Sequence, residues 1–256
     1  MTAEEQIQAM REEINAMRSR IDELEHVRGE IRALRFVLVD AQGKTRAVLG
    51  VSPDGSSVMS LIDAQGNSRV ILGADLDKRP SIVLSDANGE SRATLMLTID
   101  GSPLLVMTDA HGKSRVMLTV GSDGIPVLDM RDFQGDPRLV LGVKIDGSPM
   151  LVMIDAFQKA RAELKVKPDG APMLGLLDAQ GNIQAALGVS EGAPMLDMKD
   201  AQGKSRAVLM VDTDGAPMLA LSDAQGRTLA ALAVYIDEGA WLALSDAKGN
   251  LTWRTP

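Results

Sequence analysis

The segment that decides the fold runs from residue 95 to residue 118 and reads LMLTIDGSPLLVMTDAHGKSRVML. It holds two turn signals, Asp100-Gly101 and Asp109-Ala110-His111-Gly112. Gly supplies left-handed backbone at the end of a tight turn, and Asp accepts hydrogen bonds from turn amides. Between the turns, apolar residues alternate with mixed ones, which is the period of a half-buried strand. The segment therefore predicts β-hairpins.

The same pattern recurs along most of the chain. The aspartates that open the Asp-x-x-Gly signals stand 23 residues apart, except for one step of 22, and Asp155-Ala156-Phe157-Gln158 is the one tetrapeptide of the ten that lacks Gly. A fixed period of this length is the signature of a repeat architecture. We predict ten hairpin repeats that open at Asp40, Asp63, Asp86, Asp109, Asp132, Asp155, Asp178, Asp200, Asp223 and Asp246.

Loop lengths predict how the strands pair. A three-residue loop at Asp100-Gly101 would place Leu95 opposite Leu105. A four-residue Asp-x-x-Gly loop would place Met107 opposite Ser114, and Leu105 opposite Val116. Both loops keep one apolar face on the same side, so an antiparallel meander is favoured over a parallel solenoid.

The single 22-residue step tests this prediction. One strand residue is missing around Glu191-Gly192. A one-residue slip would turn every following side chain to the other face. A two-residue hairpin at this point would compensate for the missing residue and keep Leu187 opposite Leu196.

The first 35 residues carry a different period. Apolar residues three and four apart are typical of a coiled-coil seam, with one stammer near the end of the run. We predict a helical oligomerisation domain over residues 1–35 and a hairpin repeat domain over residues 36–256. The alternative is a helix that lies on its own β domain. The predicted oligomerisation residues are Ile7, Met10, Ile14, Met17, Ile21, Leu24, Ile31 and Leu34.

Composition excludes several classes of protein. Aromatic residues make up 2% of the chain although apolar residues make up 45%, which suits a narrow repetitive core of aliphatic side chains. A net charge of −8 disfavours nucleic-acid binding, and the absence of cysteine excludes thiolate chemistry. No transmembrane segment is predicted. Residues Met1 to Glu13 lack a secretory signal, so we expect synthesis in the cytoplasm, with the final compartment, or a place in a larger particle, left open.

One apolar face over twenty short strands needs a cover. The fold class we predict is mostly β with an N-terminal coiled coil, as three copies whose sheets face inward in a trimeric β-prism rod, roughly 90–100 Å long at about 4.8 Å per strand. Two alternatives remain: a binding module that docks a large complex or surface, and a single-chain closed repeat barrel that holds a lipophilic ligand in its lumen.

The region from Phe36 to Leu251 resembles bacterial tandem β-hairpin repeat proteins built on Leu-x-Asp-x-x-Gly-x-x-Arg-x-x-Leu, as in Leu221-Ser222-Asp223-Ala224-Gln225-Gly226. In plan it is also similar to the trimeric fibre shafts of phage tails and adhesins. These resemblances imply a noncatalytic stalk, fibre or scaffold that positions or attaches other components.

No residues that form a catalytic, cofactor or metal site stand out in the sequence, so no enzyme and no cofactor are predicted. The recurring Arg of the repeat, as at Arg46, predicts surface ion pairs with the turn aspartates. Departures from the repeat are the candidate contacts with a protein partner at an end or along the outer face: Lys78, Arg79, Phe133, Phe157 and Trp241.

Overall fold

A computed structural model describes residues 3–26, 32–74, 79–235, 237 and 239–255. Helix α1 spans Ala3–His26 and is followed by twenty strands. The strands are β1 Arg35–Val39, β2 Thr45–Val51, β3 Ser57–Ile62, β4 Ser68–Ala74, β5 Pro80–Ser85, β6 Ser91–Leu97, β7 Pro103–Thr108, β8 Ser114–Val120, β9 Pro126–Arg131, β10 Pro137–Val143, β11 Pro149–Ile154, β12 Ala160–Val166, β13 Pro172–Leu177, β14 Ile183–Ser190, β15 Ala193–Lys199, β16 Ser205–Val211, β17 Pro217–Ser222, β18 Thr228–Tyr235, β19 Gly239–Ser245 and β20 Leu251–Arg254.

Each strand pairs antiparallel with the next, so the sheet is one open meander, and among the described strands β1 does not pair with β20. The single-chain closed barrel is therefore wrong. Closing a barrel requires strands that stagger against one another. In this sheet each hairpin pairs its two strands at the same position along their length. As a result, one column of residues runs straight across the sheet from Phe36 to Leu242 without stagger.

This column is the leucine column. It consists of Phe36, Leu49, Met59, Leu72, Ile82, Leu95, Leu105, Leu118, Leu128, Leu141, Leu151, Leu164, Leu174, Leu187, Leu196, Leu209, Leu219, Leu232 and Leu242. The face that carries it is the leucine face, and the opposite side of the sheet is the mixed face.

The predicted pairing at the Asp-Gly turns is confirmed. Leu95 lies opposite Leu105, and the loop ends at Gly101, whose φ is 83°. The two-residue hairpin is confirmed as well, because Leu187 lies opposite Leu196. Its loop residues Glu191 and Gly192 both have positive φ, as the tight turns of two-residue hairpins require.

The predicted pairing at the Asp-x-x-Gly turns is wrong by two residues. Met107 lies opposite Val116 instead of Ser114, and Leu105 lies opposite Leu118. The loop has three residues instead of four and is closed by a hydrogen bond of 2.9 Å from Asp109 N to Lys113 O. A loop that is one residue shorter would by itself turn the side chains of the next strand to the other face of the sheet. A β-bulge restores the face, because Arg115 is an extra residue without a partner in the ladder.

A single chain leaves the leucine face in water. Among the described residues the buried apolar side chains are four alanines, and no large side chain is fully buried. Side chains of the leucine column such as Leu118, Leu141 and Leu187 are about half exposed. The face that the sequence requires to be covered is therefore not covered within one chain.

Helix α1 is described over Ala3–His26, and residues 27–31 lie outside the described residues. Leu34 lies in a bend directly before β1, so the structure does not place it in a helix. Within the described residues α1 contacts no strand, so the alternative of a helix lying on its own sheet is wrong. No described helix combines the length and the apolar character needed to cross a membrane.

The one Asp turn without glycine offers a test of turn strain. Gln158 occupies the glycine position with a φ of 60°. We expect Gln158→Gly to raise the free energy of unfolding by about 0.5–1 kcal/mol, because a side chain in left-handed backbone is strained. Urea denaturation followed by circular dichroism measures this change. The matched control is Phe157→Gly in the same turn, where φ is not positive, and it should not stabilise. A variant Gln158→Gly that is no more stable than the parent would contradict the argument.

Candidate functional site

The leucine face is the first candidate site, since it is a continuous apolar surface along the whole sheet. The leucine column runs through its middle. On either side lie columns in which small side chains, such as Ala93 and Pro103, alternate with larger ones, such as Met107 and Leu97. An exposed apolar patch of this extent on a soluble protein marks an interaction surface.

The helix carries a second exposed apolar strip. The seam residues Ile7, Met10, Ile14, Met17 and Ile21 are 49–56% exposed. Leu24 lies within α1, Ile31 lies outside the described residues, and Leu34 is 85% exposed. The chain thus exposes two apolar surfaces to solvent, the seam of α1 and the leucine face of the sheet.

A ladder of polar contacts runs along the row of Asp turns. Oδ1 of Asp40 accepts hydrogen bonds from the backbone N–H of Gln42 at 3.0 Å and of Lys44 at 2.9 Å. The bulged Arg46 pairs with the carboxylate of Asp40 and also donates to the carbonyl oxygen of Asp63 in the next turn. The predicted ion pairs between the repeat arginines and the turn aspartates are confirmed at residues 46, 69, 92, 115, 138, 161 and 206.

These contacts lower the pKa of the turn carboxyl groups. The backbone N–H of Lys44, followed by the Arg46 side chain, holds the pKa of Asp40 below its usual value. The Arg92 side chain is the largest cause that lowers the pKa of Asp86. The ladder therefore consists of ionised, structurally engaged carboxylates. Within the described residues no cluster of His, Asp or Glu is arranged to hold a metal ion.

The mixed face carries charge pairs within single strands. Asp129 pairs with Arg131 at 2.8 Å, and Glu163 pairs with Lys165 at 2.5 Å. Asp197 is 9% exposed and lies 3.6 Å from Lys199. Charges at these positions divide the mixed face into short apolar stretches, so it is a poorer surface for continuous apolar packing than the leucine face.

A third candidate lies where the sheet ends, at the hairpin of β18 and β19. Tyr235 and Trp241 stack with ring centroids 6.1 Å apart and planes 7° apart, and the Arg254 guanidinium lies 5.3 Å from the Trp241 ring centre. An open cavity of about 750 Å³ adjoins the stack. Its lining is Asp212, Asp214, Ala216, Tyr235, Asp237, Trp241, Ala243, Leu251 and Arg254.

The five predicted contact residues do not form one site. Lys78 lies outside the described residues, and Arg79 precedes β5. Phe133 and Phe157 are exposed in two neighbouring Asp turns. Trp241 lines the cavity at the end of the sheet. Sequence reasoning missed Tyr235 and Arg254, although the concentration of aromatic residues near the C-terminal end was a usable signal.

No protein-family model and no curated protein matches this chain. Among solved structures, the TCP10 domain of Danio rerio CPAP aligns over 86% of this chain and 99% of that domain, at 16% identity and a TM-score of 0.33. The TCP domain of Drosophila melanogaster SAS-4 (dCPAP), solved with a proline-rich motif of Ana2 (dSTIL), aligns over 70% of this chain and 91% of that chain, at 12% identity and a TM-score of 0.35. The Photorhabdus luminescens Tc holotoxin pore aligns over 82% of this chain and 14% of that chain, at 9% identity and a TM-score of 0.21. At these TM-scores the similarities carry no argument about function.

Acid should weaken the fold through the turn carboxylates. Their pKa values are lower in the folded chain than the ordinary value of 3.8, so protonation favours the unfolded state. The stabilisation is fully present above that ordinary value and is lost as the pH falls through the lowered folded pKa. We expect the urea midpoint at pH 2.5 to lie below that at pH 7.

The variant Asp86→Asn separates this effect from general acid denaturation. Asn keeps an oxygen that can accept from the turn amides but loses the charge paired with Arg92. It should be less stable than the parent at pH 7, and the difference should shrink as the pH falls through the lowered pKa of Asp86 and the parent carboxyl becomes protonated. A loss of stability that does not change as the pH is lowered until the parent carboxyl is protonated would show that the charge on Asp86 contributes nothing.

Proposed function

We propose that this protein is a noncatalytic structural rod, in which three copies pack their leucine faces around a common axis and form a stalk or scaffold that positions other components. One observation carries the proposal. A continuous apolar face extends over the sheet, and within the described residues no large side chain is fully buried. Domains normally need a second layer to cover such a face.

The most suitable cover is another copy of the chain. The leucine column repeats on every strand from β1 to β19. A partner that covers its full length needs apolar groups at the same spacing along the same distance. A second copy has that spacing by construction, whereas an unrelated globular partner would cover only a few strands.

The shape of the face favours three copies. Strands of six or seven residues span about 20–23 Å, so three such sheets in a triangular prism would each lie about 6–7 Å from the axis, near the half-spacing of about 5 Å for packed sheets. The middle of each sheet faces the axis, where the leucine column lies. Neighbouring sheets converge at the corners, which suits the small residues such as Ala93 and Pro103 in the flanking columns.

The helix is suited to align the copies. The seam residues stand three and four apart and are exposed on α1, as in a helix that packs against identical helices. In this proposal the helices associate as a coiled coil and bring the three sheets into register. Membership in the class of bacterial tandem β-hairpin repeat proteins, and a role as a fibre shaft, are parts of the same proposal.

The oligomeric state is the first measurement. Light scattering on the purified chain should give a mass near three times 27.2 kDa. A mass of 27.2 kDa at micromolar concentration would overturn the proposal, and a mass of twice that value would replace the prism with a two-sheet sandwich.

Charges on the leucine face should separate the copies. We expect a triple variant with Leu95→Lys, Leu105→Lys and Leu118→Lys to lower the measured mass. These residues lie side by side on three adjacent strands, so association would bury three charges in the interface. The matched control places lysine at the adjacent pairs of the same three strands, on the mixed face, with Thr94→Lys, Val106→Lys and Met117→Lys. Equal effects of the two triple variants would show that the leucine face is not the interface.

The contribution of the helix can be tested in the same way. We expect Ile7→Lys combined with Ile14→Lys to reduce association while strand content, seen by circular dichroism, stays unchanged. Gln8→Lys combined with Asn15→Lys adds the same charge one residue away from the seam and should leave the mass unchanged. An unchanged mass for the seam variant would remove the helix from the assembly.

A binding module is the second candidate function. The observation that favours it is the cavity beside Tyr235 and Trp241, which no other part of the described repeat reproduces. Such a site would dock a partner at one end of the sheet, and it is compatible with a rod that holds components in place.

A further inference from the structure

We propose that the cavity at the C-terminal end of the sheet binds a basic side chain, Arg or Lys, of a peptide segment in a partner protein. The site consists of Tyr235, Trp241 and the carboxylates of Asp212, Asp214 and Asp237. It lies on the mixed face, opposite the leucine face, and remains accessible if three leucine faces pack together. The inference therefore adds a partner class to the proposed function, and its test does not depend on the oligomeric state.

The distribution of aromatic residues sets this end of the chain apart. The chain has six aromatic residues in 256, and both tryptophans and the one tyrosine fall between residues 235 and 253. Apart from Phe36 in β1, the other strands build the same sheet without aromatic side chains. The concentration of aromatics is therefore not needed for the fold, which indicates a local role.

The arrangement of the rings suits a cationic group. Trp241 packs over Ala233, its cross-strand partner, which is 1% exposed. Arg254 already places a guanidinium 5.3 Å from the centre of the Trp241 ring. Cations lie favourably on tryptophan within about 6 Å of the ring centre, so the stack is built from groups that accept a cation.

A donor in the stack also lacks a partner. The Nε1–H of Trp241 is buried, and no acceptor for it is found among the described residues. A buried indole N–H usually has a hydrogen-bond partner. This donor is covered by the chain itself, so a bound peptide would reach it only after the covering side chains move aside.

The charge of the cavity lining favours a cationic ligand. The lining of the cavity contains three carboxylates and one guanidinium, so the site is acidic overall. Oδ1 of Asp212 accepts from the backbone N–H of Asp214 and of Ala216, which fixes this turn beside the cavity. The volume of about 750 Å³ is sufficient for one long side chain and the adjoining backbone.

The two tryptophans provide an internal comparison. Trp253 lies opposite Leu244 on the leucine face, whereas Trp241 lies on the mixed face. The variant Trp253→Phe leaves Trp241 as the only tryptophan, and the variant Trp241→Phe leaves Trp253. Each protein is titrated with the peptide acetyl-(Gly-Arg)₃-amide, with acetyl-(Gly-Glu)₃-amide as the charge-reversed control, while tryptophan fluorescence is recorded.

We expect a saturable change in the Trp241 signal with the arginine peptide and none with the glutamate peptide. The Trp253 signal should stay constant. In calorimetry on the full chain, Trp241→Leu and the pair Asp214→Asn with Asp237→Asn should each weaken binding roughly tenfold, the effect of losing a partly desolvated cation–π contact or its neighbouring charges. Trp253→Leu should bind as the parent does.

Several outcomes would overturn the site. One is the absence of a saturable signal from Trp241, and another is an equal response from Trp253, which would indicate general attraction to an acidic protein. Unchanged affinity in the folded Trp241→Leu variant would do the same. The mass of each variant is recorded alongside, so failure of this site is distinguished from failure of the rod assembly.

Discussion

The leucine column is straight because every hairpin returns the chain to the same register. A single layer of strands contains no second layer that could cover this column. Apolar surface left in water is the main cost that folding normally removes. A sandwich or a barrel removes it within one chain, but a sheet without stagger does not close. The proposed assembly and the accessible mixed face both depend on this one constraint.

Register is maintained by two turn types that solve the same problem differently. At the Asp-Gly turns, a three-residue loop by itself keeps Leu95 opposite Leu105. At the Asp-x-x-Gly turns, the loop is the same length but a bulge follows it, and the extra residue is the recurring Arg, as at Arg46 and Arg115. The bulge thus explains why Arg stands at that position. It restores the face, and it places a guanidinium next to the turn carboxylate and the next turn in the row.

The end of the sheet shows how a repeat can acquire a specific site. The last hairpins keep the pairing of the others, with Leu232 opposite Leu242. Their mixed face, however, carries Tyr235, Trp241 and Arg254 in one stack, whereas the strands of the other repeats carry no aromatic side chain on this face. A regular scaffold holds these side chains in fixed positions, which is what a binding site on rigid strands requires.

The amino-acid sequence by itself determined the strands, the hairpin order and the face on which the leucine column lies, because turn residues and a period of two are local properties. It also determined the helix as far as residue 26 and the pairing at Glu191-Gly192. Only the tertiary structure decided the Arg bulge. A four-residue loop without a bulge and a three-residue loop followed by a bulge both keep the same side chains on the leucine face, so the sequence pattern fits either arrangement. It also decided that the sheet stays open, and that Tyr235, Trp241 and Arg254 meet, since these contacts depend on the pairing of three strands and not on any one segment.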